Sequence, residues 1–331
     1  MIITRTPFRI SFFGGGTDYP GWYREHGGAV LATTIDKYCY ISCRRLPPFF
    51  EHKHRIVYSR IENVRHIDEI EHPAVRAVLN WANVIDGLEI HYDGDLPARS
   101  GLGSSSAFTV GLAHAVFGLQ GQMVSQRELA KHAIHIEQNL IGENVGSQDQ
   151  VSAACGGFNR IDFFRDDSFE VSPVIFPPHR REELRDHLML CFTGFSRINF
   201  KIVQSQIDNL KNRETELKRM REMVDEAISI LTRVHVDIVE FGKLLDLSWK
   251  YKRSLSNLVS TPEIDRIYDE AIRAGAIGGK ILGAGGGGFM LLFAKPEKQS
   301  AIRERLKELV HVFFNFDDSG SRVVLYHPNG F

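Results

Sequence analysis

A mixed α/β fold, in the α+β sense, is what this sequence predicts, and three observations predict it. Leu88-Glu-Ile-His-Tyr-Asp-Gly-Asp alternates as a strand ending in a turn, while Ala107 to Leu119 is a small, apolar, proline-free run suited to a buried helix. Between them lies Pro97-Ala-Arg-Ser-Gly-Leu-Gly-Ser-Ser-Ser-Ala, a glycine turn that opens the helix with hydroxyls. A second glycine cluster, Gly278-Gly-Lys-Ile-Leu-Gly-Ala-Gly-Gly-Gly-Gly-Phe-Met-Leu-Leu-Phe, is followed by another strand. At 331 residues the chain is long enough for two packed domains or one large one.

The opening stretch, Ile2-Ile-Thr-Arg-Thr-Pro-Phe-Arg-Ile-Ser-Phe-Phe, alternates as an early strand, and Gly14-Gly-Gly-Thr-Asp-Tyr-Pro breaks it. Glycine costs entropy on folding and adds no packing, so three together suggest a backbone that closely approaches a ligand. A loose turn is the alternative. Thr17 and Asp18 would point at that ligand, and Asp18 suits a sugar because a carboxylate can accept from two hydroxyls at once.

Residues 28–43 read as one or two strands, and the polar stretch 47–72 as a hairpin or loop excursion. His52, His54, His66 and His72 lack any metal-ligand rhythm and read as solvated. Pro73 to Val84 is helical by its apolar face of Val75, Val78, Leu79 and Ala82.

In the glycine turn, Gly101 and Gly103 allow a tight bend and bring N–H groups to a ligand with no Cβ in the way. The unpaired N–H groups and positive dipole end of the following helix complete an anion site. Ser104, Ser105 and Ser106 can cap the helix, bond phosphate oxygens or ligate a hard cation. An ordinary capped helix is the competing reading, and no Gly-Lys-Ser/Thr follows to make a Walker loop.

Ser125 and Glu128 form a capping box for a helix running to about Ile141. His132, His135 and Glu137 on it lack the spacing of a helix-borne zinc pair. Asp149 begins a further helix, where it is a cap or a catalytic carboxylate with equal local support. The charged run 179–187 suggests a domain seam, and a strand from Leu188 leads to Arg197 and a long helix. The stripe Val203, Ile207, Leu210, Leu217, Val224, Ile228 and Leu231 suits a helical arm or a homodimer contact. Glu214 and Arg221 in its seam favour packing within the chain. Gly283, Gly285 and Gly288 satisfy G-x-G-x-x-G, but a strand follows where a dinucleotide site needs a helix.

A net charge of −1 gives no case for nucleic acid or an anionic membrane as partner. No apolar run of about eighteen residues offers a membrane span, and the N-terminus lacks the apolar core of a signal peptide. The four cysteines have no zinc-finger spacing and read as reduced thiols of a cytoplasmic protein.

Three separated motifs together carry a resemblance. Arg5-Thr-Pro-Phe-Arg-Ile-Ser-Phe-Phe-Gly-Gly-Gly-Thr-Asp, the 97–107 turn and Lys280-Ile-Leu-Gly-Ala-Gly-Gly-Gly-Gly-Phe resemble the first, second and third signatures of the GHMP small-molecule kinases. Their order and spacing match over nearly the whole chain. Within the family, residues 8–19 and 27–38 look most similar to the branch acting on D-glycero-D-manno-heptose 7-phosphate. A galactokinase carries Gly-Glu-His-Thr-Asp-Tyr where this chain has Gly14-Gly-Gly-Thr-Asp-Tyr.

The resemblance implies a two-domain GHMP kinase fold. Residues 1–180 would resemble ribosomal protein S5 domain 2 and bind ATP, and residues 181–331 would be ferredoxin-like with added helices. It implies that Pro97, Ser100, Gly101, Leu102, Gly103, Ser104, Ser105 and Ser106 wrap the ATP phosphates. Ser105, with Ser104 as the alternative, and Glu137 would hold Mg²⁺. Asp149 would accept or position the proton of the sugar hydroxyl, and Arg9 would pair with Asp149 and the transferred phosphoryl group. Gly15, Gly16, Thr17, Asp18, Gln148, Gly285 and Gly286 would line the sugar. Arg197, then Lys37 and Arg44, would meet a distal phosphate, a structural base being the competing reading for each.

The implied activity is ATP-dependent phosphorylation of the anomeric hydroxyl of the heptose 7-phosphate, for nucleotide-activated heptose synthesis, with a small-molecule sugar phosphate as partner. A kinase for fucose or unphosphorylated heptose is the neighbouring reading. A sugar and ATP sensor without turnover is the more distant one, opposed by the joint presence of Arg9, Glu137 and Asp149.

Overall fold

The computed structural model describes residues 1–194 and 199–328. The strands are β1 (Ile2–Phe13), β2 (Gly28–Arg45), β3 (His54–Val57), β4 (Ile61–Val64), β5 (Leu88–Gly94), β6 (Phe158–Phe163), β7 (Phe169–Pro173), β8 (Leu188–Phe192), β9 (Ala276–Ile281), β10 (Phe289–Ala294), β11 (Val310–Val312), β12 (Phe316–Asp317) and β13 (Arg322–Tyr326). The helices are α1 (Pro20–His26), α2 (Pro73–Trp81), α3 (Ser104–Leu119), α4 (Gln126–His135), α5 (Gln148–Cys155), α6 (Pro178–His187), α7 (Asn199–Asn209), α8 (Glu214–Thr232), α9 (Val239–Ser254), α10 (Pro262–Arg273) and α11 (Pro296–Arg305).

The first sheet runs β13-β1-β2-β5-β3-β4, with β6 and β12 also pairing β2, and β7 pairing β6. Only the β3–β5 pair among these is parallel. β2 is long enough to serve two ribbons: residues 28–33 pair with β6 and residues 39–45 with β5. The β1–β2 register shifts at Pro7, which has no N–H to give the ladder. The second sheet is antiparallel in the order β11-β8-β10-β9.

α3 is apolar nearly all round and buried along its length against β1 and β2. Small residues permit the close approach: a Cβ at Gly111 would lie 2.9 Å from Thr6 Oγ1, and one at Gly118 3.3 Å from Ile2. The expected long helix is divided. A 3₁₀ turn at Leu210–Arg213 separates α7 from α8. α8 buries Leu217, Met220, Met223, Val224, Ala227 and Leu231 within the chain, while Glu214 and Arg221 stay exposed. Val224 and Leu217 back onto Gly14 and Gly16, so this helix braces the first glycine turn.

Two features bear on the expected domain division, and one reading is corrected. The 179–187 run is a helix, α6, whose Arg180 is buried and bonded to Glu183 and to the Ile230 and Val236 carbonyls. Residues 316–326 return to the first sheet, while the second sheet is drawn from strands between residues 188 and 312. His54 is buried, its Nδ1 accepting from the Leu88 N–H at 3.3 Å, because the β3 face turns inward under β5. All four cysteines are free thiols, and among the described residues no helix is long and apolar enough to cross a membrane.

Candidate active site

Two glycine loops meet at the junction of the sheets. Gly101 and Gly103 both have positive φ, and Gly103 is the left-handed residue that starts α3. A Cβ on Gly101 would lie 2.4 Å from the Leu282 carbonyl oxygen, and one on Gly283 2.5 Å from Gly101 Cα. Neither position tolerates a side chain, so the loops touch backbone to backbone. Phe289 N–H donates to the Ser100 carbonyl at 2.9 Å, joining the same two loops again. The N-terminus of α3 thus opens into a cleft with Ser104, Ser105 and Ser106 on its wall.

Arg9 projects from β1 and Asp149 from the first turn of α5. Arg9 Nε and Nη2 donate to the two Asp149 carboxylate oxygens at 2.7 and 2.8 Å, and Nη1 donates to the Gly101 carbonyl at 2.7 Å. This fork fixes the carboxylate plane and ties it to the phosphate loop. Asp149 retains 25% side-chain exposure towards the cleft, against 4% for Arg9.

Asp18 lines the same cleft, almost fully buried. Its carboxylate accepts from the Gly16 N–H at 2.9 Å and the Gln148 N–H at 3.4 Å. Burial, followed by repulsion from Asp149, pushes its pKa up. Ser11 Oγ and Gln148 Oε1 line the same cleft, buried and without hydrogen-bond partners among the described residues. Gly15 lies between these side chains: a Cβ there would be 3.6 Å from Gln148 Nε2 and 3.7 Å from Ser11 Oγ. Unpaired buried polar atoms beside a carboxylate suit a ligand rich in hydroxyls.

Glu137 sits beneath α3 in a π-helical turn, Ile136–Ile141, that continues α4. Its Oε2 accepts from Ser106 Oγ at 2.9 Å and from Gln150 Nε2, while Oε1 has no partner of good hydrogen-bond geometry among the described residues, although the Thr109 hydroxyl also acts on the carboxylate. Burial pushes its pKa up to about 7. An orphaned carboxylate oxygen beside a serine hydroxyl fits a hard cation. No cluster of three His, Cys, Asp or Glu among the described residues forms a protein cage. Mg²⁺ takes few protein ligands and fills its shell from phosphate and water, so Glu137 and Ser106 could serve it.

Two lysines that the sequence did not single out as site residues also line the cleft. Lys252 on α9 donates to the Ile281 carbonyl at 2.7 Å and to the Gly283 carbonyl. Lys280 on β9 donates to the Phe12 carbonyl at 2.8 Å. Lys252 sits inside a helix and Lys280 inside an otherwise apolar strand. Only the second carried a local signal, a charge flanked by buried residues.

Several expected site residues lie elsewhere. Thr17 is fully buried: its hydroxyl donates to the Gly14 and Ala29 carbonyls and accepts from the Ala29 N–H, so it braces the turn. Pro97, Ser100 and Leu102 shape the loop from behind. Ser100 Oγ donates to the Pro97 carbonyl, and the Leu102 carbonyl accepts from the Arg9 N–H. Gly285 and Gly286 turn onto Val259, leaving Gly283 and Ala284 at the cleft. The serine on Glu137 is Ser106, whereas Ser105 is exposed and Ser104 accepts from the Arg99 N–H. Lys37 pairs with Asp36 in a different hollow, and Arg44 pairs with Glu89. Arg197 falls outside the described residues.

One cleft brings together the N-terminus of α3, the forked Asp149 carboxylate and the buried Arg9, Lys252 and Lys280, an arrangement suited to phosphoryl transfer. The descriptions "GHMP kinases N terminal domain" and "GHMP kinases C terminal" match residues 69–157 and 234–312. The chain is 30% identical over 317 residues to a D-glycero-alpha-D-manno-heptose 7-phosphate kinase of Campylobacter jejuni, covering 93% of each. It is 26% identical to a bifunctional fucokinase/GDP-fucose pyrophosphorylase of Arabidopsis thaliana, spanning 91% of this chain but 31% of that protein. A crystal structure of a D-glycero-D-manno-heptose 1-phosphate kinase from Bacteriodes thetaiotaomicron superposes with a TM-score of 0.80 at 22% identity, covering 99% and 100% of the two chains. The chain belongs to the GHMP kinase family, and within it is an ATP-dependent sugar kinase.

Proposed function

We propose that this kinase transfers the γ-phosphoryl group of ATP to the anomeric hydroxyl of D-glycero-D-manno-heptose 7-phosphate, giving the 1,7-bisphosphate. The observation that carries the acceptor is the full-length similarity to the Campylobacter heptose 7-phosphate kinase. The cleft is compatible with it, since Asp18, Ser11 and Gln148 offer hydrogen-bonding groups to a polyol.

In this reading the amides of Gly101–Gly103 and the α3 terminus cradle the nucleotide phosphates. Asp149 accepts the proton of the attacking hydroxyl, and Arg9 holds the carboxylate in plane and faces the transferred group. Glu137 and Ser106, with Ser105 at the cleft wall, would hold Mg²⁺, which supplies charge neutralisation between the phosphates. Phosphoryl transfer asks chiefly for positioning and charge stabilisation, so the geometry of these side chains is the main contribution. A cytoplasmic enzyme is the corresponding setting for an ATP-dependent reaction on a sugar phosphate.

The test is ATP turnover with Mg²⁺ against heptose 7-phosphate, free heptose, fucose, mannose and galactose, with product position read by ³¹P NMR. Selective formation of the 1,7-bisphosphate is expected. Preference for a free sugar would sink the acceptor assignment, and no turnover with ATP still bound would favour a sensor.

A further inference from the structure

Lys252 and Lys280 are both largely buried, at 8% and 3% exposure, yet neither has a carboxylate at ion-pair distance among the described residues. Their partners are main-chain carbonyls. Burying an ammonium is costly unless an anion meets it, and two in one cleft double the demand. The nearby Asp149 offers little relief, because its carboxylate is already forked onto Arg9. Burial is the main cause that pushes Lys280 down to about 7 and Lys252 well below its ordinary value, and Arg9 adds to both effects. The protein is therefore short of negative charge at this point.

An ammonium has three donors. Lys252 uses two on carbonyls and Lys280 uses one, which leaves three N–H groups without a partner among the described residues. The charged groups acting on both lysines are Arg9 and Asp18, the carboxylate of the hydroxyl-binding wall. The nucleotide phosphates have their own cradle at the α3 terminus. We propose that Lys252 and Lys280 bind the phosphate that the acceptor sugar already carries, and so select a sugar phosphate over a free sugar. This rests on the reading of the acceptor as a phosphorylated heptose, and it gives the distal phosphate a receptor within the described residues, where Lys37 and Arg44 face away from the cleft and Arg197 is not described.

The first measurement uses the unaltered enzyme and inorganic phosphate as probe. Phosphate is expected to compete with the acceptor sugar but not with ATP. It is also expected to protect both lysines from a small acylating reagent, read by peptide mass spectrometry. Burial holds both amines below the usual lysine range and so raises their reactivity, and protection is measurable without any variant. The second measurement compares Lys252→Met and Lys280→Met, each checked for native melting and ATP affinity. Loss of a charged hydrogen bond should raise the acceptor KM roughly 10- to 100-fold, with the ATP KM unchanged and the preference over free sugar lost.

A fall in kcat with the acceptor KM unchanged would place the lysines on the transferred group and overturn the proposal. Absence of protection by phosphate would overturn it too, even if a variant failed to fold. The acceptor assignment fails separately. A panel that selects another sugar phosphate, with both lysines protected, discards heptose and keeps the phosphate receptor. A panel that selects heptose 7-phosphate with unprotected lysines keeps heptose and discards the receptor.

Discussion

Arg9 and Asp149 are 140 residues apart in the chain, and their side chains meet in a two-bond fork of 2.7 and 2.8 Å. The same guanidinium also holds the Gly101 carbonyl, so one side chain connects the carboxylate to the phosphate loop. A base and a phosphate cradle that share a fastener keep their separation when either is jostled.

Replacing Asp149 by Asn should therefore lower kcat by roughly 10²–10⁴-fold if it acts as general base, with ATP affinity near normal. Arg9→Lys should also lower kcat, because an ammonium cannot reproduce the planar fork. Steady-state kinetics with both substrates varied checks this, and near-normal turnover by the Asn variant would remove Asp149 from the chemistry.

Thr17→Val separates a structural from a ligand-binding hydroxyl. Thr17 ties the start of the glycine turn at Gly14 to Ala29 of β2, so the variant should lose about 1–3 kcal/mol of stability. The acceptor KM should stay unchanged. A raised KM with unaltered melting would return Thr17 to the sugar.

Glu137 makes stability depend on pH in a definite direction. Its folded pKa, about 7, lies above its ordinary 4.5, so the folded state holds the extra proton between those values. The associated stability is present below pH 4.5 and is lost as pH rises through 7, on the order of 3 kcal/mol at most. Lys280, lowered from 10.5 to about 7, acts oppositely: stability rises between pH 7 and 10.5 as the unfolded chain holds more protons. Denaturant midpoints across pH in EDTA should show both limbs, with Glu137→Gln flattening the acid one. An unchanged acid limb in that variant would refute the assignment to Glu137.

Gly101→Ala introduces a Cβ at positive φ and 2.4 Å from the Leu282 oxygen. The two loops must separate, at a cost of roughly 1–3 kcal/mol in backbone strain alone. ATP affinity should fall well before acceptor affinity, as titration calorimetry with each substrate would show. Equal losses for both would mean that the loop serves the whole cleft.

Local chemistry was legible in the sequence wherever a short motif carries its own mechanism. The Ser125–Glu128 capping box forms, and the strand, glycine turn and buried helix of residues 88–119 appear in the expected order. Glycine clusters announce close backbone approach without saying to what, and Gly285 packs its backbone against Val259. Thr17 offered a hydroxyl whose direction depends on β2, a strand that no local pattern relates to it. Lys252 resembles any lysine on an amphipathic helix until α9 is laid beside β9, and its burial is a property of that packing. Distance along the chain, more than subtlety of chemistry, decided what stayed hidden.

β13 pairs with β1 from Ile2↔Tyr326 to Arg5↔Arg322, and β12 joins β2 just before it. The strand translated among the first therefore waits for one translated more than three hundred residues later. Throughout synthesis the outer edge of β1 offers unpaired N–H and C=O groups to any passing strand. A ribosome that stalls before residue 322 should release a chain with Arg9 in place but a sticky flank beside it. Such a chain is a natural client for a chaperone and a seed for aggregation.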